Sequence, residues 1–380
     1  MTQTTLAGRV QEIDAVRGFA LAGILVANIG FLADPGYALS GAMPIPDGPV
    51  ALAITAFVLT KFYIIFSFLF GYSFTLQMRA AERAGASVRA RTLRRCLALF
   101  VIGLAHGLLL WIGDILTLYA VLGLVLLALR GLRPRTAVIA GSSIIGALTL
   151  FWLALAWLST LDPAAGQPAA ADPAAAARVL ALATGGPLDF LTMQTELYPP
   201  LVAMIWLFQG PTALAMFLFG LAAGKSRLLE GLGRRPRLLA RVQWAGFGVG
   251  LPGGLLYAWT SGRTGAVELI GGAVNTLTSI LLAAAYVATL LRLIGRFPAA
   301  ARVLAAPGRV AASNYVGQSL LIALVFTGYG LALAGRLSPI AVMGVALVIY
   351  TVLVWASALW LRTHRHGPVE YVLRRITQWR

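Results

Sequence analysis

Long uncharged apolar runs alternate along this chain with short polar connections. A helix needs about 20 apolar residues to cross a hydrocarbon core of about 30 Å. Ten runs meet or approach that length and are predicted to span, at roughly 18–34, 50–78, 96–112, 115–130, 136–160, 200–223, 244–260, 265–291, 310–334 and 339–361. The predicted fold class is therefore all-α: a polytopic integral membrane helix bundle, one domain over residues 1–380. The first run could pass for a signal-peptide core behind Arg9 and Arg17, but many similar runs follow it and it contains Asn28, so it reads as a retained helix.

Charge orients the spans. Every Lys and Arg except Lys61, Arg178, Arg263 and Arg336 falls in one alternate set of connections, while most acidic residues lie in or beside the other set. Basic loops resist translocation, so the basic set is predicted to stay in the cytoplasm. An even number of spans then puts both termini there, and the tail Arg362–Arg380 agrees.

Composition supports the lipid setting. Hydrophobic residues make up 59% and charged ones only 11%, where a soluble domain carries about 25% charge. The net charge of +17 does not argue for nucleic acid, because the arginines sit in short connections without a recognition motif. Anionic headgroups explain them more simply. The single cysteine, Cys96, excludes an intrachain disulfide and a cysteine-based metal site. No metal is expected.

Two connections stand out. Ile112-Gly113-Asp114 joins two runs as a tight hairpin facing outward, and Gly103, Ala105, Gly107 and Gly123 would let its helices approach closely. Residues 161–199 read as an extracytoplasmic loop with a short helix near Ala174–Ala183; it is either a surface loop or a lid over an outward-facing cavity. No convincing internal repeat is evident.

Ionisable residues within spans are costly and become functional candidates. His106, Asp114, Lys61 and Asn28 are expected at similar depth. His106 is the foremost candidate, because an imidazole can take a proton from a hydroxyl or amine; the alternative is a packing histidine. Asp114 lies eight residues on, about 80° round the helix and about 12 Å along it. Direct contact is not expected, so another helix or a water should intervene. Asp114 could equally cap the next helix, Lys61 could snorkel outward, and Asn28 could join helices. Glu196 is, with Lys61, a further intramembrane polar candidate. Toward the cytoplasm, Asp14 and Arg17 share a face, as do Asn314 and Gln318, with Arg309 and Ser313 nearby. This group could hold an anionic cofactor or contact headgroups. His364, His366 and Glu370 near the tail could join it or act as interfacial anchors; two histidines without a third ligand do not make a metal site.

Several stretches resemble the YeiB family of bacterial inner-membrane proteins (the DUF418 type). They are Ile13-Asp14-Ala15-Val16-Arg17-Gly18-Phe19-Ala20-Leu21 running to Asn28; Leu104-Ala105-His106-Gly107 with Leu110-Trp111-Ile112-Gly113-Asp114-Ile115-Leu116; and Gly308-Arg309-Val310, Ser313-Asn314-Tyr315, Gln318-Ser319 and Gly367-Pro368-Val369-Glu370. Phe66-Ser67-Phe68-Leu69-Phe70-Gly71 and Ala215-Met216-Phe217-Leu218-Phe219-Gly220 belong with them. Through its first span the family is similar to transmembrane acyltransferases such as heparan-alpha-glucosaminide N-acetyltransferase. Arg17, Gly18 and Asn28 match that relative's spacing. Its catalytic histidine, about eleven residues after its Asn, is replaced here by Leu39, so either His106 substitutes or this branch does other work.

The resemblance implies a multi-pass protein of the bacterial cytoplasmic (inner) membrane. It also implies acyl transfer from cytoplasmic acyl-CoA, bound by Asp14, Arg17, Arg309, Ser313, Asn314 and Gln318, to a hydroxyl or amine outside, with His106, Asn28 and Asp114 catalytic. The alternative is a transporter or exporter of lipids or small molecules using the same groups as a polar site at mid-depth. Expected partners are membrane lipids and a small-molecule or lipid acceptor, with a homodimer left open.

The orientation is directly testable. In a Cys96→Ser background, Gly85→Cys and Leu232→Cys should react with a membrane-impermeant maleimide only from the cytoplasmic side. Labelling of either from outside intact cells would invert the map.

Overall fold

The computed structural model describes residues 3–36, 48–161, 172–229, 232 and 235–378, with side chains of the first helix from residue 11 onward. The expectation concerning Leu39 lies outside the described residues. Among them the chain is helical throughout: α1 (Gln3–Ala33), α2 (Pro49–Phe57), α3 (Lys61–Arg83), α4 (Val88–Leu109), α5 (Leu116–Ala128), α6 (Pro134–Leu161), α7 (Pro173–Thr184), α8 (Pro187–Lys225), α9 (Pro236–Thr260), α10 (Ala266–Arg296), α11 (Pro298–Arg309), α12 (Ala311–Phe326), α13 (Pro339–Trp360) and α14 (Pro368–Gln378). Many of these helices begin on a proline, whose fixed φ suits the first turn and whose missing N–H costs nothing there.

Seven described helices, with α2 and α3 taken as one, are long and apolar enough to cross a membrane; α11 and α12, bent by 80°, could make an eighth. The ten expected spans all have helical counterparts, but three differ from simple crossing rods. α5 has 13 residues, α9 is long but less apolar, and the ninth run is helical only over α12, 16 residues set at 80° to α11. Apolar side chains cover the outside. Leu150, Trp157, Leu347 and Trp355 are each more than 60% exposed, which is stable in lipid and not in water.

Within 161–199 the short helix expected near Ala174–Ala183 is present, and α8 begins earlier than the expected span at 200. α6 runs through Leu161, α7 occupies 173–184, and α8 starts at Pro187. The outer end of α8 carries α7 against it, and Val179, Ala183, Phe190 and Met193 join a buried cluster with α12 and α13. Apolar burial, rather than exposed loop chemistry, organises this segment.

Glycines set the closest crossings. α3 and α8 each carry the tetrapeptide Phe-Leu-Phe-Gly, at 68–71 and 217–220. The two copies interlock. A Cβ on Gly71 would strike the Phe217 backbone, and one on Gly220 would strike the Phe68 carbonyl and the Tyr72 amide. Phe70 stacks on Phe217 with centroids 4.6 Å apart. α1 and α11 cross in the same way: Gly18 abuts the Leu304 carbonyl and Gly308 the Asp14 carbonyl. Because each of these glycines adjoins an arginine, that crossing brings Arg17 and Arg309 to one mouth.

Gly220→Ala should therefore overpack the α3–α8 crossing and cost about 1–3 kcal/mol. Gly146 has open space around its Cβ position, so Gly146→Ala should leave stability unchanged. Thermal unfolding in detergent reads both. Equal melting temperatures would show that the close approach is not limiting.

Candidate functional site

α4 ends at Leu109, where the amides of Leu110 and Trp111 both bond the His106 carbonyl at 2.9 Å. Residues 110–115 then fold back before α5 begins at Leu116, a wider turn than the three residues expected. Gly103 makes room for it. A Cβ there would lie 2.7 Å from the Thr117 amide nitrogen and 2.9 Å from Asp114 Oδ2.

The turn returns Asp114 to the imidazole. His106 Nδ1 and Asp114 Oδ1 are 2.8 Å apart, with both side chains essentially inaccessible. This corrects the expectation that another group must intervene. The estimate assumed continuous helix between the two residues, and the chain reverses instead. Asp114 also caps α5: Oδ2 accepts the Thr117 amide at 2.8 Å and its hydroxyl at 2.9 Å. Capping and orienting the histidine are two jobs of one carboxylate.

The other imidazole nitrogen, Nε2, lies 2.9 Å from Ser319 Oγ of α12. With Asp114 as acceptor, His106 donates from Nδ1, and in the neutral imidazole Nε2 is then free to accept from the serine hydroxyl. The Tyr315 ring lies 5.0 Å from the imidazole. Ser319 did not stand out as a candidate in the sequence, because nothing local links it to a histidine 213 residues away.

A cavity of about 860 Å³ runs beside this group. At one end Arg17, Arg91, Arg95, Arg309 and Arg374 line it, with Ser73, Gln77 and Glu370. Further in come Asn28, Trp111, Gly113, Ile115 and Tyr315, and then Thr60, Gln209, Glu268 and Asn275. His106, Asp114 and Ser319 stand just outside its lining, behind Trp111, Ile115 and Tyr315. The Trp111 indole N–H is buried without a hydrogen-bond partner, although it belongs to a wall residue.

The expected inner group divides. Arg17 and Arg309 line the cavity. Asp14, buried, holds Arg17 at 2.8 Å, and Ser73 receives the other guanidinium nitrogen at 2.5 Å. Ser313 serves the chain itself: its hydroxyl donates to Glu370 Oε2, whose Oε1 accepts the Ala312 amide at 2.6 Å. Glu370 of α14 thus caps the kinked start of α12. Asn314 donates to the Pro307 carbonyl and Ser357, tying α12 to α11 and α13. Gln318 is buried without a partner among the described residues. Arg91, Arg95 and Arg374 were missed as ligand-facing groups. The spacing of four between Arg91 and Arg95, which puts them on one face, was the available signal.

The remaining candidates lie apart. Asn28 lines the cavity. Lys61 does not snorkel: it is fully buried where a break separates α2 from α3, with Thr60 at φ 73°. Its ammonium reaches Asn275 Oδ1 at 3.2 Å and the Thr55 carbonyl at 3.4 Å. Glu196 is not a buried intramembrane group; it makes an exposed two-pronged pair with Arg178 at 2.8 Å, joining α8 to α7. Among the described residues no cluster of three or more His, Cys, Asp or Glu could hold a metal.

Asp114→Ala should strand the His106 N–H and the Thr117 amide, at a cost of about 2–4 kcal/mol. The readout is a lowered melting temperature in detergent. An unchanged value would show the carboxylate to be structurally idle.

Comparison with known proteins places these residues in context. A family profile described as "Protein of unknown function (DUF418)" matches residues 223–380. The chain is 31% identical over 391 residues to the uncharacterized protein YxaH of Bacillus subtilis (strain 168), covering 97% of this chain and 94% of that protein. It is 27% identical over 396 residues to an uncharacterized 39.9 kDa protein of Bacillus acidopullulyticus, covering 99% and 96%. It is 24% identical over 415 residues to the uncharacterized protein YeiB of Escherichia coli (strain K12), covering 96% and 95%.

Proposed function

This chain belongs to the DUF418 family that includes YxaH and YeiB, and from that premise we propose that it is a transmembrane acyltransferase of the bacterial cytoplasmic membrane. The observation that carries the reading is the cavity of about 860 Å³, which is lined by five arginines and by Trp111, Ile115 and Tyr315 beside the Ser319–His106–Asp114 group. With both termini inside, the arginine mouth faces the cytoplasm.

The mouth suits the phosphates of acyl-CoA. Guanidinium groups bind phosphate oxygens in charge-assisted pairs, and Asp14 and Ser73 fix the direction of Arg17. Arg17 and Asn28 are eleven residues apart on α1, about 16 Å along the helix. Arg95 and His106 are eleven apart on α4, so Asn28 and His106 lie at matching depth below the mouth. A pantetheine-length arm entering at the arginines would bring its thioester to that level. Its walls there are Phe66, Phe70, Trp111 and Tyr119, largely apolar.

At that depth His106 is the proton acceptor and Asp114 orients it and stabilises the imidazolium that forms. The unpartnered Trp111 N–H and the Asn28 carboxamide are the donors available to a carbonyl oxygen as it gains charge. Trp111 and Tyr315 stand between the cavity and the imidazole, so their rings must shift for the thioester to reach it. The outer end of the cavity, with Thr60, Gln209, Glu268 and Asn275, is the approach for a hydroxyl or amine acceptor.

A transporter reading has one observation in its favour: Lys61 is buried at a helix break beside the same cavity with no carboxylate within 4 Å among the described residues, the kind of group that can relay a proton. The two readings separate cleanly. Purified protein incubated with radiolabelled acyl-CoA should form labelled protein or product, reduced at least a hundredfold in His106→Ala. Failure to bind CoA at millimolar concentration, together with pH-gradient-driven flux in liposomes that depends on Lys61, would establish transport instead.

A further inference from the structure

We propose that Ser319 is a nucleophile that carries the acyl group as an ester before it passes to the acceptor. The inference rests on the acyltransferase reading for the identity of the donor, but the reactivity it assigns to Ser319 can be tested without any donor.

A histidine and an aspartate eight residues apart meet a serine 213 residues from the histidine, in hydroxyl–imidazole–carboxylate order. Ser319 Oγ is 2.9 Å from His106 Nε2, and His106 Nδ1 is 2.8 Å from Asp114 Oδ1. Each is within direct hydrogen-bond reach, the relation that an activated nucleophile and its oriented base require. With a neutral imidazole the polarity of the chain, as well as its spacing, suits the step. The Thr117 amide and hydroxyl both donate to Asp114 Oδ2, which leaves the carboxylate to accept from Nδ1 and the Nε2 lone pair to face the serine. A hydroxyl serving only to satisfy helix packing would turn to its own i−4 carbonyl. Ser319 also reaches that carbonyl, of Tyr315, at 3.3 Å, but its contact with Nε2 is the shorter of the two, at 2.9 Å.

The supports are rigid. His106 is on the last turn of α4, Asp114 is locked by capping α5, and Ser319 lies on α12, whose start is held by Glu370 and whose side is tied by Asn314 to α11 and α13. All three reactive side chains are buried, so water is kept from an ester formed there until an acceptor arrives.

The step balances. Ser319 Oγ attacks the thioester carbonyl, the new C–O bond forms, and the Oγ proton passes to His106 Nε2. The C–S bond then breaks and the imidazolium returns that proton to the departing thiolate, releasing free CoA. In the second half the acceptor hydroxyl or amine attacks the serine ester and gives its proton to His106. The C–O bond to Ser319 breaks, and Oγ recovers the proton.

The experiment uses full-length protein in detergent and an alkyl fluorophosphonate, which phosphonylates activated serines. Wild-type protein should be labelled on a single peptide containing Ser319, with labelling lost in Ser319→Ala and reduced at least a hundredfold in His106→Ala. Ser319→Thr, which keeps the hydroxyl but crowds it, should be labelled more slowly. With acyl-CoA alone, wild type should release one equivalent of free thiol per protein and retain a hydroxylamine-sensitive acyl group on the same peptide. Unlabelled Ser319 in protein that unfolds at the normal temperature, or labelling that persists in His106→Ala, overturns the proposal. Acyl transfer that survives in Ser319→Ala overturns the covalent intermediate while leaving the acyltransferase reading in place; absence of any transfer with labelling intact does the reverse.

Discussion

Close backbone contact through glycine is the constraint on which the rest of this structure depends. In lipid there is no hydrophobic force to drive helices together, since acyl chains are as apolar as leucine. Association must come from packing and from polar contacts, and both require near approach. Gly71 and Gly220 supply it between α3 and α8, and Gly18 and Gly308 between α1 and α11. Gly103 supplies it at the turn that returns Asp114 to His106. Without these positions the arginines would not share a mouth and the carboxylate would not reach the imidazole.

Polar groups inside the bundle are connected in short chains, as the cost of burying them demands. Asp114 meets three donors, Glu370 meets two amides and a hydroxyl, and Ser67 meets Tyr119 at 2.6 Å. Glu370 and Asn314 hold the kink between α11 and α12. That kink is structural work by residues whose types alone suggested ligand binding. Against this background the groups left short of partners are conspicuous. The Trp111 N–H and the Lys61 ammonium both lie at or just behind the cavity wall.

The cavity has an electrostatic gradient along its length. Arginines from α1, α4, α11 and α14 converge at one end, although in sequence they look only like topology markers. The same charges do both jobs: they hold their loops on one side of the membrane and make that side attractive to an anion. Further along, polar uncharged groups and Glu268 replace them. An anionic head at the mouth and an uncharged tail inside fit that order.

The helical membrane architecture was legible in the sequence, because span length and loop charge are local properties that lipid enforces residue by residue. His106 and Asp114 were legible as candidates for the same reason, since ionisable groups in apolar runs are rare. Their contact was not. It depends on where α4 stops, and the backbone reversal at 110–115 replaces the regular helix that spacing arithmetic assumes. Nor could spacing show that Glu196 pairs outside with Arg178, that Lys61 is sealed at a helix break, or that α8 already begins at Pro187. Sequence alone determined that this chain lives in lipid and which of its groups are costly there. Only the tertiary structure decided that Ser319 faces the imidazole, because that meeting is set by how α14 packs against both α4 and α12, and no local periodicity encodes contacts between helices so far apart in the chain.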